Sequence, residues 1–134
     1  MPLGGILTGV LSMRIFKNKA FNQWAQKLGI SDAILNEIVN DLEKGLYESN
    51  LGGHVYKKRV ATGGRGKSAG ARTIIAFKLR NKAFFIYGFN KNEKDNISEK
   101  EKDVLKILAK QYFSYDDKQM RHAINNSELK EVKS

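Results

Sequence analysis

The sequence predicts an α+β domain, and three features carry that expectation. Two amphipathic helical patterns come first, a stretch with a period of two residues follows, and a capped helical pattern returns towards the C terminus. Segregated helices and strands of this kind suit a sheet with helices packed on it. The length of 134 residues suits one compact domain. A content of 41% hydrophobic and 28% charged residues is one that folds rather than staying disordered.

Arg14–Phe16 is a short strand candidate. Lys17–Leu28 reads as a helix with Ala20, Phe21, Trp24, Ala25 and Leu28 on one face, stopped by Gly29. Ser31 is the N-cap expected for the next helix, whose apolar stripe is Ile34, Leu35, Ile38, Val39, Leu42 and Leu46. The connection is short enough to demand an antiparallel helical hairpin, with Trp24 as a core anchor. After Leu51-Gly52-Gly53 the period becomes two. Val55–Ala61 sets Lys57 and Arg59 on one face and Tyr56, Lys58 and Val60 on the other. Thr73–Leu79 and Ala83–Phe89, joined by Arg80-Asn81-Lys82, complete an antiparallel meander. Ser98 with Glu101 forms a capping box for a helix whose apolar face is Val104, Leu105, Ile107, Leu108 and Tyr112. Asp116–Asn125 is a further short helix. Ser127–Ser134 is polar and reads as a frayed end, ordered against a partner. Met1–Ser12, apolar, uncharged and interrupted by Gly4, Gly5 and Gly9, lacks the basic start of a signal peptide. It reads as a disordered or non-native extension ahead of a single domain spanning residues 13–134.

Composition narrows the chemistry. The chain has no cysteine, which excludes disulfides, thiolate catalysis and cysteine-held metal sites. His54 and His122 are its only imidazoles, so no metal site and no cofactor is expected. Lys, Arg, Tyr, Asp and Glu remain. No apolar run approaches the ~20 residues that a membrane span requires.

The net charge of +10 is localised. Met1–Gly53 holds five basic and five acidic residues, and Asp95–Ser134 holds eight of each. His54–Lys94 holds eleven basic residues against the single acid Glu93. An excess confined to one stretch that also reads as strands is the footprint of a polyanion site. Within it, Ala61–Ser68 fits a relaxed phosphate-loop pattern. That chemistry needs a helix directly after the loop, whereas Arg72–Phe77 is strand-like, and a nucleotide-hydrolysing reading is set aside. As a strand-to-strand loop, Thr62–Ala71 supplies four glycines for close backbone approach, with Arg65 and Lys67 as charges. Lys57 and Arg59 share a strand face, and Arg72 starts the neighbouring strand. Such a cationic surface suits a ribose–phosphate chain, and its cations could stabilise the phosphorane formed when an RNA 2′-OH attacks its own phosphate.

The order of these pieces resembles the RelE/HigB toxins of type II toxin–antitoxin systems. The likeness rests on Lys57-Lys58-Arg59, on the basic, glycine-rich run Gly64–Arg72, and on Phe89-Asn90-Lys91-Asn92-Glu93 closing the last strand. The resemblance implies a twisted antiparallel sheet of about four strands, with the helical hairpin and the C-terminal helices packed on one side. It implies a cytoplasmic, metal-independent and ribosome-dependent mRNA endoribonuclease. It also implies a cognate antitoxin, expected to carry a helix-turn-helix domain. Lys57, Arg59, Arg72 and Lys91 fall at catalytic positions, and Arg65, Lys67, Lys94 and Tyr87 at RNA-binding ones. General-base work by a lysine at neutral pH requires a pKa lowered by neighbouring cations. The chain departs from RelE at Asn92, where RelE has arginine, and at Ile97-Ser98, near where RelE has tyrosine. Tyr87 replaces that aromatic only if it faces the site, and its alternation with Phe85 and Phe89 fits a core role equally well. Two alternatives stand beside the nuclease: a ParE-like gyrase inhibitor and a non-catalytic nucleic-acid-binding module.

Overall fold

In the computed structural model, which describes residues 13–60 and 70–134, elements follow in the order β1 (Arg14–Asn18), α1 (Lys19–Leu28), α2 (Asp32–Glu43), β2 (Ser49–Gly52), β3 (Val55–Arg59), β4 (Ala71–Phe77), β5 (Lys82–Asn90), α3 (Glu99–Ser114), α4 (Asp117–Asn125) and β6 (Leu129–Glu131). The expected N-terminal extension, Met1–Ser12, lies outside the described residues, as does the stretch 61–69 that holds Arg65 and Lys67.

The α+β class holds, with a difference in the sheet. Six strands run in the order β2-β3-β4-β5-β1-β6, instead of about four antiparallel ones. The sheet is mixed, because β1 lies parallel to β5 with Phe16 opposite Phe84. The unexpected strands are the two edges. They are four and three residues long and carry Ser, Asn, Gly, Lys and Glu, so neither shows an apolar alternation.

Helices cover both faces, not one. Ile15, Ile75, Ala83 and Phe85 meet Phe21 and Ala25 of α1 and Leu35, Ile38, Val39 and Leu42 of α2. Their sequence neighbours Phe16, Ile74, Ala76, Phe84 and Ile86 meet Leu105, Ala109 and Tyr112 of α3 and Met120 and Ala123 of α4. A doubly covered strand reads as continuous rather than alternating, and β4 is buried at all seven positions.

Local signals set the helix ends. The Asn18 side chain caps α1 by accepting from the Phe21 N–H at 2.9 Å, so the helix starts two residues later than expected and Lys17 stays in β1. Gly29 ends α1 with φ 70°, a left-handed turn that glycine adopts freely. Trp24 is the expected core anchor: it packs against the α1–α2 cluster directly over Gly88 of β5. Leu46 does not extend the α2 stripe. The helix stops at Glu43, and Leu46 is exposed.

The polar C terminus is ordered within the chain itself. Leu129 and Val132 are buried, β6 pairs antiparallel with β1, and the Val132 N–H donates to Ile15 O at 2.8 Å. Two apolar residues among charges gave no periodic signal, which is why this end reads as frayed.

Candidate functional site

Strand register brings the basic side chains together. β3 and β4 pair with Lys57 opposite Ile74 and Arg59 opposite Arg72. β4 and β5 pair with Ile74 opposite Tyr87 and Arg72 opposite Phe89. Two cross-strand rows result, Lys57–Ile74–Tyr87 and Arg59–Arg72–Phe89, on the face that carries α3. The sequence expectation that Lys57 and Arg59 share a face with Arg72 is met.

Tyr87 reaches this face through an irregularity. The β4–β5 register shifts between Ile74 and Ile75, whose partners are Tyr87 and Phe85, so Ile86 is an extra residue. A bulge of this kind reverses the alternation beyond it. Phe85 therefore joins the α1–α2 core, while Tyr87 and Phe89 face α3. The aromatic alternation 85-87-89 that left two roles open is broken by that single inserted residue.

The two central cations are buried: Arg72 is 4% exposed and Lys57 is 8% exposed. Arg59, at the end of β3, is exposed. Like charges directly opposite across a ladder repel, and Arg59 opposite Arg72 is such a pair. A carboxylate from outside the basic segment offsets the repulsion. Glu48 Oε1 lies 2.6 Å from Arg72 Nε, and Glu48 Oε2 lies 3.8 Å from Lys57 Nζ. The Glu48 backbone is fixed by its N–H, which donates to Lys57 O at 2.8 Å. Lys57 Nζ also donates to Asn96 Oδ1 at 3.1 Å, and the same oxygen accepts from the Ile97 N–H at 2.9 Å. Arg72 Nη1 donates to its neighbour Ala71 O at 3.3 Å.

Lys94 stands beside Tyr87. Its Nζ donates to the Tyr87 hydroxyl at 3.0 Å, sits 5.1 Å from the ring centroid and forms an ion pair with Glu101. The hydrogen bond that it donates to Glu101, and then the one to Tyr87, hold the Lys94 ammonium above its usual pKa. Glu101 is correspondingly lowered, first by Lys94 and then by the Ser98 N–H. Lys94 is thus a permanent cation at neutral pH, the opposite of a lysine tuned to take a proton. The Tyr87 ring has Lys94 over it and Phe89 stacked at 6.0 Å, so its hydroxyl is better disposed for contact than its faces.

Lys91 is exposed in the turn after β5, with its N–H donating to Gly70 O at 2.8 Å, which sets it at the foot of the glycine-rich loop. Arg65 and Lys67, within that loop, lie outside the described residues. The segment following the loop is strand β4, in keeping with the refusal of a phosphate-loop reading. His54 is remote, at the opposite end of β3, with its ring 6.2 Å from Phe113. Among the described residues no group of three or more His, Cys, Asp or Glu is arranged to hold a metal, and no helix is long and apolar enough to cross a membrane.

Sequence reasoning missed Glu48 and Asn96. Glu48 did leave a trace, as the last acid before the basic stretch. Asn96, in an irregular loop, left none.

Comparison with known proteins places the chain in a family. Residues 13–132 fit the family described as RelE toxin of RelE / RelB toxin-antitoxin system. No curated protein matches the chain.

Proposed function

Because the chain belongs to the RelE toxin family of toxin–antitoxin systems, and membership implies a cognate antitoxin, we propose that it arrests translation by cutting mRNA on the ribosome. The observation that carries this reading is the pair of cross-strand rows joining Lys57, Arg59, Arg72 and Tyr87 on one sheet face.

The chemistry is an internal transfer. The 2′-oxygen bonds to the adjacent phosphorus, the bond from phosphorus to the 5′-oxygen breaks, and a 2′,3′-cyclic phosphate remains. The 2′-OH proton goes to a base and the 5′-oxygen gains one. Arg72 suits the phosphorane oxygens, since a buried guanidinium is a fixed fork of donors that needs no reorganisation. Lys57 and Arg59 run along the strand as backbone contacts, with Lys57 next to the reacting phosphate. Lys91 and Lys94 carry charge to the end of β5, and Arg65 and Lys67 keep the RNA-binding role that the resemblance implies. Tyr87 contributes its hydroxyl.

Primer extension on mRNA from cells expressing the protein tests this. Cleavage ends should appear in translated messages and vanish when translation is blocked. Arg72→Ala should abolish growth inhibition while the circular dichroism spectrum is retained. Arrest of replication with intact messages would favour a gyrase inhibitor. Full toxicity in the Arg59/Lys67/Arg72 triple alanine variant would remove the cationic site from the mechanism.

A further inference from the structure

Glu48 sits where an anion belongs. Its carboxylate meets Arg72 Nε at 2.6 Å and Lys57 Nζ at 3.8 Å, the two buried cations of the cradle. A carboxylate placed between a guanidinium and an ammonium puts negative charge where the same two cations would hold a phosphate. We propose that Glu48 is an internal counter-anion occupying the phosphate seat, so that RNA binds by exchanging its phosphate for this carboxylate.

Three observations support the exchange. The cluster repels itself, since Arg59 and Arg72 are opposite one another, and an unpaired buried cation is costly; some anion must be present before RNA arrives. Glu48 itself is exposed and lies outside regular structure, between the end of α2 at Glu43 and the start of β2 at Ser49. Its side chain can turn out into water once a phosphate takes its place, whereas Arg72 and Lys57 are held by strands. The polar contacts of Lys57 with Asn96 and of Arg72 with Ala71 do not involve Glu48, so they can keep both cations aimed when it leaves. The seat is thereby preorganised without a ligand, and the intramolecular anion sets the threshold that a phosphate must exceed.

The inference deepens the nuclease reading and rests on it, but one arm of its test does not use RNA. Wild type, E48Q and E48A are compared with two probes: inorganic phosphate, followed by thermal shift, and a 2′-O-methyl RNA oligonucleotide that cannot be cleaved, followed by fluorescence anisotropy. Glutamine keeps the shape and removes the charge, so it guards against misfolding of the alanine variant. Both variants should melt lower than wild type without ligand yet bind the oligonucleotide about fivefold more tightly, the equivalent of one partly exposed charge pair. Phosphate should raise their melting temperature more than it raises that of wild type. A purely structural ion pair predicts lower stability and unchanged or weaker binding, and that result would overturn the exchange. So would slower cleavage by E48Q at unchanged affinity, the mark of a proton acceptor. If phosphate prefers E48Q while Arg72→Ala leaves oligonucleotide affinity unaltered, the carboxylate exchange stands and the RNA assignment of the cradle fails.

Discussion

Lys57 owes its direction to a residue on another element. Asn96 Oδ1 accepts both from Lys57 Nζ and from the Ile97 N–H, so one amide ties the loop ahead of α3 to the middle of β3. The Ile97 side chain is buried against the α3 core, which fixes the backbone that presents Asn96. Asn96→Ala removes an acceptor from a charged donor, and the expected loss is about 1 kcal/mol in urea unfolding, at the lower end for a bond that reaches solvent. Asn96→Asp keeps the acceptor and should restore stability. Growth inhibition should fall in the alanine variant and return in the aspartate variant, because Lys57 is aimed in one and not in the other. Equal toxicity across all three proteins would mean that Lys57 does not need this partner.

At the level of elements, α1 is docked by a missing side chain. A Cβ at Gly88 would lie 2.2 Å from Trp24 Cε3 and 2.3 Å from Cζ3, closer than any packed carbon tolerates. Gly88→Ala should therefore push Trp24 off the sheet and cost about 1–3 kcal/mol, the range for overpacking. Trp24→Leu in the same chain should recover part of the loss, which a double-mutant cycle from urea midpoints would measure. Additive losses would mean that the ring and the strand are independent. Elements of this kind were partly legible in the sequence. α1 to α4 announced themselves through period and capping residues, as with Ser31, Ser98 and Asp116. β3, β4 and β5 were marked by alternation or by β-branched and aromatic runs, and the shared face of Lys57, Arg59 and Arg72 followed from period two and one turn. The side assigned to Tyr87 did not, because a bulge at Ile86 leaves no mark in composition. Neither did the parallel pairing of β1, which depends on Phe16 stacking on Phe84 at 5.5 Å across a long separation in sequence. The role of Glu48 did not follow from its place ahead of the basic stretch either, because it meets Arg72 only through the folding of β2 back onto β3.

Across the whole molecule, one edge of the sheet is fastened by charge. Asp32, at the start of α2, accepts from Lys17 Nζ at 2.7 Å and from the Lys133 N–H at 2.9 Å, while Asn36 Nδ2 donates to Lys133 O at 2.7 Å. Arg14 donates to both oxygens of Glu131, at 2.8 and 2.9 Å. The C-terminal strand thus depends on two carboxylates. Partial burial raises the pKa of Asp32, but the Lys133 N–H and the Lys17 ammonium outweigh it and leave the group below its ordinary 3.8. Arg14 likewise holds Glu131 below its ordinary 4.5. Since both folded values lie under the unfolded ones, their stabilisation is complete above those ordinary values and is lost as pH falls through the depressed ones. Acid should therefore release β6 before it unfolds the molecule, because the middle of β4, at Ile74 and Ile75, is fully buried between the two helical layers. Native-state hydrogen exchange between about pH 6 and pH 3, corrected for intrinsic rates, should show growing openings at Lys130 and Val132 while Ile74 and Ile75 keep the global protection factor. Asp32→Asn should open β6 already at neutral pH and flatten much of the acid response, leaving what Glu131 supplies. If wild type and Asp32→Asn exchange identically at every pH, the C-terminal strand is held by Leu129 and Val132 alone.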